Sequence, residues 1–262
     1  MLFIKNKKMK FSNNKIRLAL VVFMISFTSV NGQKITSKVI YKKKSSTIID
    51  SKKQKTSAGI FAKNMSRKMN NIEYTLKFNS KESIFSETSK MSLDKDNNSL
   101  AIKLSKLLGG GNGIFYTNRK LNKTYHQKEF QSEIFLIEQD IISDWKLTQE
   151  KKIIGKFICF KATKNDTYVG SSGNLIAKKI TAWYTTEIPY SYGPLKYNGL
   201  PGLILELEND KAIFYATKID LYKKNMIEII NKPKKGIKIT QKKYDSIVIN
   251  LAKDFRKKRL RN

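Results

Sequence analysis

A period-two alternation recurs along most of this chain and constrains its fold more than any other feature. It is cleanest over Ile180–Ile188. There Ile180, Ala182, Tyr184, Thr186 and Ile188 share one face, and Thr181, Trp183, Thr185 and Glu187 share the other. An extended backbone sends successive side chains to opposite sides, so this pattern in β-branched and aromatic residues predicts a strand. Leu203–Leu207 alternates again. Between the two, Leu200-Pro201-Gly202-Leu203 has the composition of a type II turn, in which proline presets the second φ and glycine supplies the positive third.

The same reading places strands over Lys34–Lys42, Ile72–Phe78, Lys81–Ser89, Ile114–Thr117, Leu121–Gln127 and Glu133–Ile137. Further strands begin at Trp145, run continuously over Lys152–Thr163, and cover Ala212–Leu221 and Met226–Ile230. Turn chemistry falls at Asn118-Arg119, Gln131-Ser132, Gly170–Asn174 and Asn209-Asp210, whereas Lys43–Ser57 and Asp94–Asn98 are polar loops and Leu100–Leu108 is a short apolar piece. Short strands at this spacing predict a mainly β protein built on a curved antiparallel sheet.

Two stretches follow the helical period instead. Ile60, Phe61 and Met65 fit a short helix over Gly59–Lys68. Beyond Pro233–Gly236, residues Tyr244, Ile247, Val248, Leu251 and Phe255 line one face of a C-terminal amphipathic helix. Thr240 is its expected N-cap, and Arg256, Lys257, Lys258 and Arg259 complement its C-terminal dipole. Its apolar face is expected to pack on the sheet, with contact to an anionic membrane surface as the alternative.

The first 32 residues read as a signal peptide. Lys5, Lys7, Lys8, Lys10, Lys15 and Arg17 precede the 13 mainly apolar residues Leu18–Val30, and Val30-Asn31-Gly32 puts small residues before Gln33. Thirteen residues fall short of the roughly 20 that span a bilayer. The expected organisation is therefore a signal peptide over 1–32, a β-rich domain over 33–232 and a basic helix over 233–262, in a periplasmic or secreted protein.

The formal charge is +31, and removing the six cations of the signal leaves +25. Export excludes nucleic acid as a partner, and the lysines are spread rather than clustered. The charge favours anionic neighbours and solubility. Cys159 is the single cysteine, so there is no intramolecular disulfide partner, and its apolar neighbours predict a buried, unreactive thiol. One cysteine and the lone His126 cannot make the usual zinc site, nor does a nucleophile elbow accompany the histidine. Gly109–Gly113 lacks the Gly-Lys-Ser/Thr of a phosphate loop and reads as a connection. No catalytic residue, metal or cofactor is expected. Glu187, Glu206 and Glu208 are the carboxylates that group around the central loop.

Pro189–Gly202 is a 14-residue loop rich in tyrosine, and loops of that length usually carry function. The candidate ligand-binding residues are Trp183, Glu187, Tyr190, Tyr192, Tyr197, Leu200 and Pro201. Tyrosine suits recognition because it offers large area with a polar tip. The competing role is a plug for the open end of the sheet.

Gly199-Leu200-Pro201-Gly202-Leu203-Ile204 resembles the hexapeptide that names the GLPGLI family of Bacteroidetes proteins. Trp145, the run Ile154–Ala162, Ala182-Trp183-Tyr184, Glu187-Ile188-Pro189 and Gly193-Pro194 are similar to its other recurring elements, in order. Lys164–Lys179 and the lysine-rich tail lie outside the resemblance. It implies an exported protein of a family without an established activity, and no catalytic residue carries over from it. By fold-level analogy with bacterial lipoprotein carriers, the sheet would be a half-barrel around an apolar groove. The expected function is an exported, non-enzymatic binding or assembly module of the cell envelope, with an unknown protein, peptide or envelope ligand as partner. The alternative is a carboxylate-only hydrolase, which a Glu187→Gln, Glu206→Gln double variant would inactivate.

Overall fold

The computed structural model describes residues 36–46, 56–88, 110–170, 172–221 and 229–259. In chain order their elements are β1 (Ser37–Ser45), α1 (Ser57–Asn70), β2 (Glu73–Phe78), β3 (Glu82–Glu87), β4 (Ile114–Asn118), β5 (Lys123–Phe130) and β6 (Glu133–Asp140). There follow β7 (Lys146–Ile154), β8 (Phe157–Val169), β9 (Leu175–Thr185), β10 (Leu203–Glu208), β11 (Ala212–Asp220), β12 (Ile237–Thr240) and α2 (Gln241–Arg259). All the strands join one open sheet in the order β12-β6-β5-β4-β3-β2-β1-β11-β10-β9-β8-β7. Every ladder is antiparallel except β12 on β6.

One face of this sheet carries the core. Across the strands, Ala162 stands opposite Ala182, Ala182 opposite Leu207, Leu207 opposite Phe214 and Phe214 opposite Lys43. On the same side, Tyr41 faces Tyr74, while Leu76, Phe85, Phe115, His126 and Ile137 form a continuous row. Tyr74 stacks on Phe85 at 5.3 Å, and Phe214 meets Tyr74 edge-on at 5.3 Å. Burying each such ring contributes on the order of 2–3 kcal/mol, which makes this face the main source of stability.

The sheet curls along the strand order. Thr124 and Gln139, from β5 and β6, line one cavity together with Asp166 and Lys178 from β8 and β9. These strands lie near opposite ends of the order, so the two ends face each other with no ladder between them. The mainly β, curved and open sheet with a C-terminal helix is the expected fold.

Several boundaries differ from the sequence reading. Lys152–Thr163 is not one strand but a hairpin, because Gly155 takes φ +61° and reverses the chain between Ile154 and Phe157. One side of that hairpin is open to solvent, with Ile153 74% and Ile158 53% exposed. The strand read as Ile180–Ile188 ends at Thr185, where Thr186-Glu187 turn into the loop. Lys164–Lys179 is the regular far end of the β8–β9 hairpin, paired from Lys164–Ile180 to Val169–Leu175. Alternation had no means of finding β12, which is four residues long.

Helix α2 starts where expected, with the Thr240 hydroxyl accepting from the Lys243 N–H at 3.3 Å. Tyr244 packs edge-on against Phe130 and Phe135, and α2 contacts β6, β12 and β8. Phe255, expected on the packing face, is instead 60% exposed. Arg256 donates to the Ser172 carbonyl, tying α2 to the tip of the β8–β9 hairpin. In α1, the Thr56 hydroxyl accepts from the Gly59 N–H and Met69 is buried. No described helix is long and apolar enough to cross a membrane. The signal stretch Met1–Gly32, Asp94–Asn98, Leu100–Leu108, most of the Lys43–Ser57 loop and most of Met226–Ile230 lie outside the described residues.

Candidate functional site

The loop between β9 and β10 folds back into the concave side of the sheet. Ile188, Tyr192, Leu195, Tyr197 and Leu200 are all buried in the main core. Phe78 of β2 receives Tyr190 and Tyr192 at ring distances of 5.1 and 5.8 Å. The loop bonds to itself through Leu203 N–H to Ile188 O at 3.0 Å and Ile204 N–H to Tyr192 O at 2.9 Å. Side chains fasten it to its surroundings. The Tyr41 hydroxyl donates to Ile204 O at 2.6 Å, Trp145 Nε1 to Asn198 O at 2.8 Å, and the Ser143 hydroxyl to Gly199 O at 2.9 Å. A loop whose backbone polar groups are satisfied this way is a fixed part of the core.

The glycines explain why this sequence can do it. Gly202 does not have the positive φ that a type II turn requires of its third residue, so the expected turn is absent. A Cβ at Gly202 would lie 2.0 Å from the Thr185 carbonyl oxygen, and one at Gly193 would lie 2.6 Å from the Ile204 side chain. Both glycines let the returning chain touch β9 and β10 directly. Positive φ falls instead at Leu195, +60°, and Gly199, +89°.

Beyond the loop the concave side stays open as two adjoining cavities of about 520 and 440 Å³. Gln139, Lys178, Lys196 and Tyr197 line both. The first also holds Asp166, which accepts from the Tyr197 hydroxyl at 2.8 Å and pairs with Lys196 at 3.1 Å and Lys178 at 3.8 Å. Burial works to raise the Asp166 carboxyl, but Lys196, the Tyr197 hydroxyl and Lys178 outweigh it and hold it below the usual carboxylate range. Burial lowers Lys178, and Asp166 only partly offsets this.

The second cavity adds Phe115, His126, Lys128, Tyr168, Leu195, Asp210 and Lys211. His126 stacks on Phe115 at 3.9 Å, and its Nε2 lies 2.9 Å from Asn112 O. A carbonyl can only accept, so Nε2 carries the proton. Burial pushes the imidazole down to about 3, so it is neutral at ordinary pH. Burial also pushes Lys128 down to about 8; its ammonium sits 4.1 Å from the Tyr244 ring centroid. Among the described residues no three His, Cys, Asp or Glu side chains gather as they would to hold a metal ion.

Residues 174–206 match the family model described as a protein of unknown function, Porph_ging. The matched stretch spans β9, the buried loop and most of β10. The chain matches no curated protein. Two crystal structures of PNGF-II, in space groups P21 and C2, are similar at 17% and 16% identity with TM-scores of 0.49 and 0.47. Each match covers 81% of this chain, which spans 33% and 32% of those structures.

The residues singled out from sequence do not converge. Tyr192, Tyr197 and Leu200, within the matched stretch, are buried; Tyr190 is half-buried against Phe78. Pro201 is exposed. Trp183 faces the outer side of the sheet, where the Lys152 ammonium lies 4.3 Å from its ring. Glu187 accepts from the Ile158 N–H at 2.9 Å, and Glu206 pairs with Lys152 at 2.7 Å. Cys159 is fully buried, and burial raises its thiol to about 11. Of the expected residues only Tyr197 lines the cavities. The rest of the lining was missed, because Lys128, Lys178, Lys196 and Lys211 look like any others in a lysine-rich chain. What sets them apart is that the fold brings them to one space, and no local signal in the sequence carries that.

Proposed function

We propose that this protein is an exported, non-catalytic binding module of the bacterial cell envelope, of the GLPGLI type, whose ligand sits in the open half of the concave side. One observation carries the reading. The loop rigidly fills one half of the concave side and leaves beside it a preformed space lined by Lys178, Lys196, Tyr197 and Gln139. Preformed cavities of roughly 300–1,000 Å³ are the size that takes small molecules. The half-buried Asp166 is engaged by two lysines and a tyrosine, an arrangement that holds charge in place rather than moving protons. The family reading rests on Gly199–Ile204 and the elements around it, together with the Porph_ging match. Export rests on the charged start and short apolar run of the sequence.

The test is native mass spectrometry of the protein recovered from the envelope fraction of its host. The expected species starts at Gln33 and carries a small-molecule adduct that a Tyr168→Ala, Lys196→Ala variant loses. A cytosolic chain that keeps Met1 would sink the export part. An adduct retained by that variant would sink the site.

A further inference from the structure

We infer that the cavity between β5 and the β8–β9 hairpin is a seat for a phosphate monoester, with its doubly negative phosphoryl group held by Lys128, Lys178, Lys196 and Lys211 and its organic body against the aromatic wall. The inference rests on the binding-module reading above and names the class of its ligand.

The lysines come from four different segments: Lys128 from β5, Lys178 from β9, Lys196 from the buried loop and Lys211 from the β10–β11 turn. They therefore approach the space from different sides. Among the described residues no arginine lines it. Guanidinium forks match flat carboxylates edge to edge, whereas ammonium groups are point charges with three donors each. Several ammonium groups around one space suit a group whose oxygens point in several directions, as a phosphoryl group's do.

The charge balance points the same way. Lys178 and Lys196 share the single carboxylate of Asp166. Asp210 lines the rim beside Lys211, and neither Lys128 nor Lys211 has an ion-pair partner within 4.0 Å among the described residues. Asp245 of α2 acts on Lys128 from farther off. Four lysines against Asp166, Asp210 and Asp245 leave the site positive. A phosphate monoester, at about −1.5 to −2 charges at pH 7, is drawn by that excess and more than offsets it.

The rest of the lining is not ionic. Phe115, Tyr168, Leu195 and Tyr197 border the same space of about 440 Å³. The Lys178 ammonium already lies 5.1 Å from the Tyr168 ring and 6.0 Å from the Tyr197 ring. An aromatic or compact apolar body would meet these rings while its phosphate met the ammonium groups.

The experiment is calorimetric titration at pH 7.0 in low salt with phenyl phosphate, phenyl sulfate and benzyl alcohol, which differ mainly in charge. Phenyl phosphate is expected to bind at least tenfold tighter than the singly charged sulfate. Lys128→Gln combined with Lys178→Gln is expected to weaken it at least tenfold. Lys234→Gln combined with Lys235→Gln removes the same charge from exposed positions and is expected to change Kd less than twofold. Lys211, exposed on its turn, provides a substitution that does not touch packing, and Lys211→Gln should weaken binding at least threefold even if the double variant fails to fold. Equal losses in the two double variants would mean diffuse attraction to a basic protein and would overturn the inference. So would sulfate binding as tightly as phosphate. Benzyl alcohol binding that Tyr168→Ala abolishes, with no phosphate binding, would overturn the ligand class and leave the binding-module reading standing. No binding of any probe would overturn both.

Discussion

The concave side has two halves served by the same loop, and they are finished differently. In one half, Tyr192, Leu200 and Ile188 press against Phe78 and the rows around Tyr41 and Phe85, and little space remains. In the other, Lys196 and Tyr197, a few residues along the same loop, border open cavities with Lys128, Lys178 and Tyr168. The filled half holds the loop still. That rigidity lets the open half keep charged groups at fixed places without a ligand to order them, which lowers the ordering entropy that binding must overcome. Stability and recognition are thus assigned to neighbouring stretches of one loop.

The comparison breaks first at Gly202. Gly202→Ala drives a Cβ into the Thr185 carbonyl, which is backbone and cannot step aside. A loss of about 3 kcal/mol or more is expected in chemical denaturation. Gly155→Ala has no atom within 4 Å of its added carbon and only an unfavourable φ, so about 1 kcal/mol is expected there. Equal effects at the two positions would show that the loop is not locked to β9.

Next in size is Tyr192→Ala, which empties the filled half. Removing a fully buried aromatic side chain costs about 3–5 kcal/mol, or roughly 10 °C in Tm. Lys196→Gln, at the open half, should cost less than about 1 kcal/mol, because its ion pair is part-exposed and screened. Scanning calorimetry of the two variants would collapse the distinction if they melted together.

The third expectation concerns pH. Burial depresses the His126 imidazole to about 3, so the folded state binds fewer protons there than the unfolded chain. Its contribution to stability is complete above pH ~6.5, the unfolded value, and is lost as pH falls from there toward 3. The slope from this group is at most about 1.4 kcal/mol per pH unit. His126→Phe keeps the stacking on Phe115, and its acid limb should be shallower across that window in denaturant titrations; an unchanged limb would place the acid sensitivity elsewhere.

The smallest effect sharpens the account of the plug. Among the described residues, the buried Tyr192 hydroxyl has no hydrogen-bond partner. Tyr192→Phe removes a polar group that is already unsatisfied, so stability should hold within about 0.5 kcal/mol or rise. A clear loss would reveal a partner for the hydroxyl.

The strands were legible because their signal is local. Tyr74, Leu76 and Phe78 alternate with polar residues, and they are buried together. The turns at Gln131-Ser132 and Asp210 were legible for the same reason, since positive φ there follows from two-residue reversals. The hairpin at Gly155 was not, because apolar residues run through it on both sides and hide the reversal. Nor was the role of Gly202, whose neighbour is Thr185, a residue on another strand.

The sequence by itself determined that this chain builds extended, two-sided segments, ends in an amphipathic helix and keeps its one thiol inside. Those are properties of residue types a few positions apart, and the backbone period turns them directly into faces. Only the tertiary structure decided what the faces enclose. Lys128 and Lys178 are 50 residues apart and lie near opposite ends of the strand order, and curling of the sheet brings them to one cavity. Lysine is the commonplace residue of this chain, and a lysine becomes part of a site only when the fold gathers it with others around one space. That gathering is a property of the assembled sheet and loop.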